Sequence, residues 1–159
     1  MPLAAEEIDP ESFRAGVERR LDVEITESLS MRGPERTIAT LQRLRECGVG
    51  SSIDDFGIGY SSLSHLKRFP VDKLKIDRGF VRDIATDAND RSIATAVVQL
   101  ARSMGLKVVA EGAEEPAQLR LLSELGCDFA QGYHFARPLP AAEMAALLER
   151  DEPLGVCVH

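Results

Sequence analysis

Short apolar-rich runs alternate along this chain with longer stretches in which apolar residues return every three or four positions. LDVEIT (21–26), VGSSI (49–53), KLKI (73–76), KVVA (107–110) and CDFA (127–130) have the length and composition of strands. RTIATLQRLRECG (36–48) carries Ile38, Leu41, Leu44 and Arg45 on a repeating face and stops at Gly48, a helix with a terminal glycine. DRSIATAVVQLARSMG (90–105) steps through Ile93, Val97, Leu100 and Met104 and stops at Gly105 in the same way. EPAQLRLLSELG (115–126) opens with Pro116 in its first turn, and LPAAEMAALLER (139–150) predicts a terminal helix. DPESFRAGVERR (9–20) predicts one more, with Asp9 as cap and Pro10 at the first position. The Leu and Met stripes are core positions, and no repeat is evident beyond the alternation itself. Strands alternating with helices imply right-handed parallel crossovers and an α/β fold with its sheet covered by helices.

Composition narrows the class. A chain of 159 residues suffices for one domain with a real core. Its formal net charge of −7 argues against a polymeric nucleic acid as partner, because phosphate binding needs a basic surface. It does not argue against a site where divalent cations invert the local charge. The start MPLAAEEIDPES lacks the basic and apolar regions of a signal peptide, and no apolar run approaches a membrane span. Cys47, Cys127 and Cys157 are scattered, without a CxxC pair, as expected of packing thiols in a reducing, cytoplasmic compartment.

The strand ends carry the chemistry. Glu24, Asp54 with Asp55, Lys75 with Asp77, Glu111 and Gln131 each end or follow a strand. Any one of them alone is better explained as a solvated strand end or a cap. In parallel α/β folds, however, ligand sites gather at the carboxyl ends of the strands, so their recurrence at every strand makes a constellation. Glu24, Asp54, Asp55 and Glu111 bring four negative charges together against one positive charge from Lys75. Two divalent cations would neutralise them, and all-oxygen donors select hard ions such as Mg²⁺ or Mn²⁺. Adjacent aspartates suit a two-metal site, one carboxylate bridging while its neighbour holds a single ion. His65, His134 and His159 have no ligand spacing and are assigned to surface or packing.

EITES (24–28), DDFGIGYSSL (54–63), FPVDKLKIDRGFV (69–81), VVAEGAEE (108–115) and GCDFAQGYHFARPLP (126–140) resemble, in order, the signature segments of the EAL domain family. That family contains bacterial phosphodiesterases that open cyclic di-GMP to linear pGpG with Mg²⁺ or Mn²⁺ on a TIM-like barrel. The resemblance implies a partial TIM-type (β/α) barrel of about five parallel strands. It also implies that Glu24 ligates one metal, Asp54 bridges both, and Asp55 and Glu111 hold the second. Lys75 would stand beside the attacking water, Gln131 would orient the site, and Glu27 would anchor the loop that begins at Asp55.

The departures from that pattern shape the expectation. No Glu-Ala-Leu triplet occurs, and the sole asparagine is Asn89, far from the expected ligand position. Five β–α units fill nearly the whole chain, whereas a full barrel has eight and typically about 250 residues. The expected division is therefore an N-terminal helical extension (1–20), the C-terminal part of an EAL domain (21–150) and a tail (151–159). Ile58 stands where the family usually has threonine. Three functions follow: a phosphodiesterase inactive as this chain alone, a degenerate module that binds cyclic di-GMP, or a dimerisation and regulatory fragment. The expected partners are cyclic di-GMP and either a second copy or the missing part of the barrel.

Overall fold

The structure, a computed structural model, describes residues 21–27, 34–58 and 63–149. Five parallel strands neighbour one another in chain order: β1 (Asp22–Thr26), β2 (Gly50–Phe56), β3 (Lys73–Ile76), β4 (Lys107–Glu111) and β5 (Phe129–Gln131). Helix α1 (Pro34–Glu46) joins β1 to β2, and α2 (Leu63–Leu66) joins β2 to β3. Helices α3 (Arg78–Arg82) and α4 (Ala88–Ser103) join β3 to β4, α5 (Pro116–Leu125) joins β4 to β5, and α6 (Ala141–Glu149) follows. All-parallel strands laid down in sequence are the winding of a (β/α) barrel. Among the described residues the sheet is open, with β1 and β5 as its edges. The helix expected over 9–20, the tail 151–159, Cys157 and His159 lie outside the described residues.

The core lies between the sheet and its helices. Ile53, Leu74, Ile76, Val108 and Ala110 point outward from β2, β3 and β4 and are at most 1 % exposed. They pack in one cluster with Leu41 of α1, Val97 and Val98 of α4, and Leu122 of α5. Burial of each Val, Leu or Ile side chain among them is worth roughly 1.5–3 kcal/mol, which is why the periodic positions predicted these helices. Helix α5 stops where its glycine requires: Gly126 adopts φ 85°, and its N–H returns to the carbonyls of Leu122 and Ser123 at 3.0 and 2.9 Å. Cys47 and Cys127 are buried, and burial pushes the Cys127 thiol up to about 12, in keeping with packing thiols.

Two features lay beyond the sequence pattern. Helices α2 and α3 are too short to show a period. A hydrophobic–Asp pair also recurs at the start of alternate strands, as Leu21–Asp22, Val71–Asp72 and Cys127–Asp128. These aspartates clip neighbouring strands at the amino end of the sheet. Asp72 Oδ2 accepts from Ser51 N at 2.9 Å, and Asp128 Oδ2 accepts from Val108 N at 2.9 Å. Asp22 and Asp128 also receive the Lys73 and Lys107 ammonium groups, each at 2.6 Å. The opposite end of the sheet is thereby left for chemistry.

Candidate functional site

The strand register explains why the predicted residues meet. Glu24 pairs with Ser52, and Ser52 pairs with Lys73, so these three share the inward face of the sheet. Side chains alternate with period two, which brings Asp54 and Lys75 to that face one step nearer the carboxyl end. Lys75 pairs with Val109, so Glu111 follows on the same face, and Glu111 pairs with Gln131. The Lys75 side chain is 5 % exposed, and its Nζ contacts Glu24 Oε1 at 2.7 Å, Asp54 Oδ1 at 3.2 Å, and Glu111 Oε1. Gln131 Nε2 donates to the same Glu111 oxygen at 2.8 Å.

Three carboxylates around one ammonium set the electrostatics. Burial alone would depress the Lys75 pKa, but its close contacts with the Glu111, Glu24 and Asp54 carboxylates outweigh it, and the value is raised. Lys75 is therefore a fixed positive charge. Burial pushes the Glu111 carboxyl above its ordinary value, and Asp54 and Glu24 add to this against the opposing pull of Lys75.

A β-bulge lets both aspartates of the pair serve the site. Ile53 pairs with Leu74, but the next pair is Phe56 with Ile76, so β2 spends one more residue than β3 over this stretch. Ile53 and Phe56 both enter the core, while Asp55 is turned aside with φ 55°. A left-handed aspartate is tolerated where local structure holds it, and such strain gathers at functional sites. Glu27 supplies part of that hold, because its buried carboxylate accepts from Gly57 N at 3.2 Å. Asp55 is not among the ion-pair partners of Lys75; it faces Asp77. Burial, then Asp54, then Asp77 raise its pKa. Asp77 also caps α3, its Oδ1 accepting from Gly79 N at 2.8 Å.

The structure thus brings Glu24, Asp54, Lys75, Glu111 and Gln131 into one cluster, with Asp55 beside it and Glu27 behind the bulge. Asp77 is the residue to which sequence reasoning gave no role, although its place two residues after Lys75, at the strand end, was the available signal. Asn89 sits instead at the start of α4, where its N–H donates to Asp87 at 2.6 Å. His134 packs edge-on against Phe135, as a packing histidine should.

The donor set fits hard divalent cations. It is all oxygen and carries a surplus of negative charge over the Lys75 ammonium. Asp54 Oδ1 is buried without a hydrogen-bond partner among the described residues and lies 3.2 Å from the Lys75 ammonium. A carboxylate oxygen so placed keeps lone pairs that a further cation could take. Among the described residues, no three acidic, histidine or cysteine side chains already form a metal-holding group; the carboxylates close on Lys75 instead.

A parallel, sequentially wound sheet with acidic residues and a buried lysine at its carboxyl end defines an α/β domain of barrel type with a polar site at the strand ends. The chain belongs to the EAL domain family, whose profile matches residues 4–138. It is 51 % identical over 128 residues to the cyclic di-GMP phosphodiesterase NbdA of Pseudomonas aeruginosa, covering 80 % of this chain and 16 % of that protein. The EAL domain of Mycobacterium smegmatis DcpA superposes with a TM-score of 0.80 at 41 % identity, covering 89 % of this chain and 66 % of that one. Klebsiella pneumoniae BlrP1, solved as a manganese and cyclic di-GMP complex, superposes at 0.69 with 37 % identity, over 76 % of this chain and 31 % of that one. No helix among the described residues is long and apolar enough to cross a membrane.

Proposed function

We propose that this chain carries the metal-binding half of a phosphodiesterase site that opens cyclic di-GMP to pGpG. One observation carries the reading: carboxylates from β1, β2 and β4 meet at the buried Lys75, with Asp54 Oδ1 lacking a hydrogen-bond partner. Two Mg²⁺ or Mn²⁺ ions, when bound, would lower the pKa of an attacking water and stabilise the entering and leaving oxygens of an in-line displacement. Glu24 and Asp54 would hold the first ion, and Asp54, Asp55 and Glu111 the second. Lys75 would keep its proton and stabilise charge on the phosphate, an electrostatic role. Gln131 would fix the rotamer of Glu111 through its 2.8 Å hydrogen bond, and Glu27 would hold the loop after Asp55.

The absence of a Glu-Ala-Leu triplet and the remote place of Asn89 favour a second statement: this chain alone turns over cyclic di-GMP very slowly or not at all. Its first metal would keep only two protein ligands, and a misplacement of about 1 Å can cost on the order of 10²-fold in rate. The outer edge of β1 has no strand partner among the described residues and offers a template for one, from a second copy or from further barrel strands. The test measures pGpG by chromatography for this chain beside a chain extended upstream by a Glu-Ala-Leu strand and an asparagine-bearing strand. Turnover by the extended chain only is expected. Brisk turnover by the chain alone would overturn the ligand count. Binding of cyclic di-GMP without turnover by either would replace catalysis with a binding or regulatory role.

A further inference from the structure

We propose that Gln118, on the first turn of α5, is a positioning residue that fixes the distance between the Glu111 and Asp77 sides of the metal site. The inference rests on the metal-site reading above. Gln118 is 4 % exposed, although it lies on a helix whose neighbouring Pro116 and Arg120 are exposed. Its side-chain carbonyl accepts from Glu114 N at 2.8 Å and from Glu115 N at 2.9 Å, the second bond being the reciprocal arm of a capping box. Its amide nitrogen donates to the carbonyl of Arg82, the last residue of α3, at 2.9 Å. One buried amide therefore spends both of its ends on backbone groups of two different segments.

Those segments are the ones that carry acidic residues of the site. Glu111 ends β4, three residues before the first N–H that Gln118 holds. Asp77 caps α3, whose far end Gln118 holds through Arg82. The same loop is fixed on its other flank by β5: Ala113 N donates to Gln131 O at 3.0 Å, and His134 N donates to Ala113 O at 3.1 Å. It also lies hard against α3, where a Cβ on Gly112 would come within 2.7 Å of Arg78 Cβ. The side toward α3 has Gln118 as its polar tie. A carboxylate there could still accept from the two loop N–H groups but would repel the Arg82 carbonyl. The glutamine amide serves both, because it carries an acceptor oxygen beside a donor nitrogen.

Groups that orient metal ligands typically change metal affinity by about 10–100-fold when replaced. The experiment compares Mn²⁺ affinity, read by electron paramagnetic resonance of free Mn²⁺, with melting temperature for wild type, Gln118→Glu and Gln118→Leu. Val98→Ala in α4 serves as a control that loses stability while leaving every hydrogen bond of the loop in place. Gln118→Glu is expected to weaken Mn²⁺ binding about tenfold while keeping slow exchange of the Glu114 and Glu115 amides. Gln118→Leu is expected to weaken binding further and to speed that exchange. Val98→Ala is expected to melt earlier with wild-type Mn²⁺ affinity. Wild-type affinity in both Gln118 variants would overturn the proposal and leave the metal reading standing, whereas a wild-type chain that takes up no Mn²⁺ would overturn both.

Discussion

Replacing Lys75 by methionine tests the electrostatic reading of the site most directly. The substitution keeps most of the aliphatic stem and removes the ammonium that three carboxylates share. Removing one partner of a buried ion pair typically costs about 3–5 kcal/mol. The loss here should be smaller, roughly 2–3 kcal/mol, because the Glu24 side chain is 49 % exposed and Glu111 already holds its proton more tightly than usual. In a chain of this size that lowers the melting temperature by roughly 4–12 °C. Manganese should recover much of it, since a cation at 100 times its dissociation constant contributes about 2.7 kcal/mol and would take over the charge that Lys75 supplied. Wild type should gain less from the metal, because Lys75 competes for the same oxygens. Acid should narrow the gap as well. Glu111 is already raised above its ordinary value and loses the opposing pull of Lys75 in the variant, so the variant gains stability as pH falls from 7 toward the unfolded range of about 4. Wild type keeps the Lys75 contribution over the same window, since it is lost only as pH rises above 10.5 and through the raised folded value. Melting curves with and without Mn²⁺ at pH 5 and 7 make the measurement. A variant that melts within about 1 °C of wild type, or gains no more from Mn²⁺, would refute the reasoning.

The amino end of the sheet gives an independent pH prediction. Burial acts to raise the Asp128 pKa, but the Lys107 ammonium and the Val108 N–H outweigh it, and the value is lowered. Its contribution is therefore present above the ordinary 3.8 and is lost as pH falls through the folded value. Asp128→Asn should cost about 1 kcal/mol at pH 7 and nothing at the acid end of a urea-midpoint series; an equal cost at all pH values would contradict the linkage. At the other end, a Cβ on Gly132 would sit 2.1 Å from Ala113 O and 2.4 Å from Ala113 N, both backbone atoms that cannot swing away. Gly132→Ala should lose about 1–3 kcal/mol in chemical denaturation, and a variant as stable as wild type would show that the two loops are not locked together.

Those perturbations separate what the sequence displays from what only packing reveals. Leu41 and Val97 are legible because burial of a helix face imposes a 3.6-residue period, and the structure buries both. The same holds for Lys75 and Glu111, since strand ends in a parallel sheet converge whatever the loops between them do. Asp54 and Asp55 were legible as a pair but not as a geometry. Sequence spacing places the end of β2 at Ile53, whereas the strand runs on to Phe56 through a bulge. A bulge is a choice made by the partner strand: Phe56 must reach Ile76 and the core, and the residue left over is Asp55. That left-over position turns Asp55 toward Asp77, so of two adjacent carboxylates Asp54 meets the Lys75 ammonium while Asp55 meets a like-charged neighbour. Gln118 shows the converse case. Its polarity on a helix surface suggests solvent, yet Glu115–Pro116–Ala117–Gln118 is a capping-box spacing with proline at the first helical position, which marks the third residue as one that turns back to the loop. What no pattern could supply is the Arg82 carbonyl waiting on the other side, 36 residues earlier in the chain. The acidic residues of this cluster are thus written locally in the sequence, while their arrangement depends on tertiary contacts such as the bulge at Asp55 and the hydrogen bonds of Gln118. For that reason substitutions at the bulge and at Gln118 should alter metal affinity more than their modest share of the core would suggest.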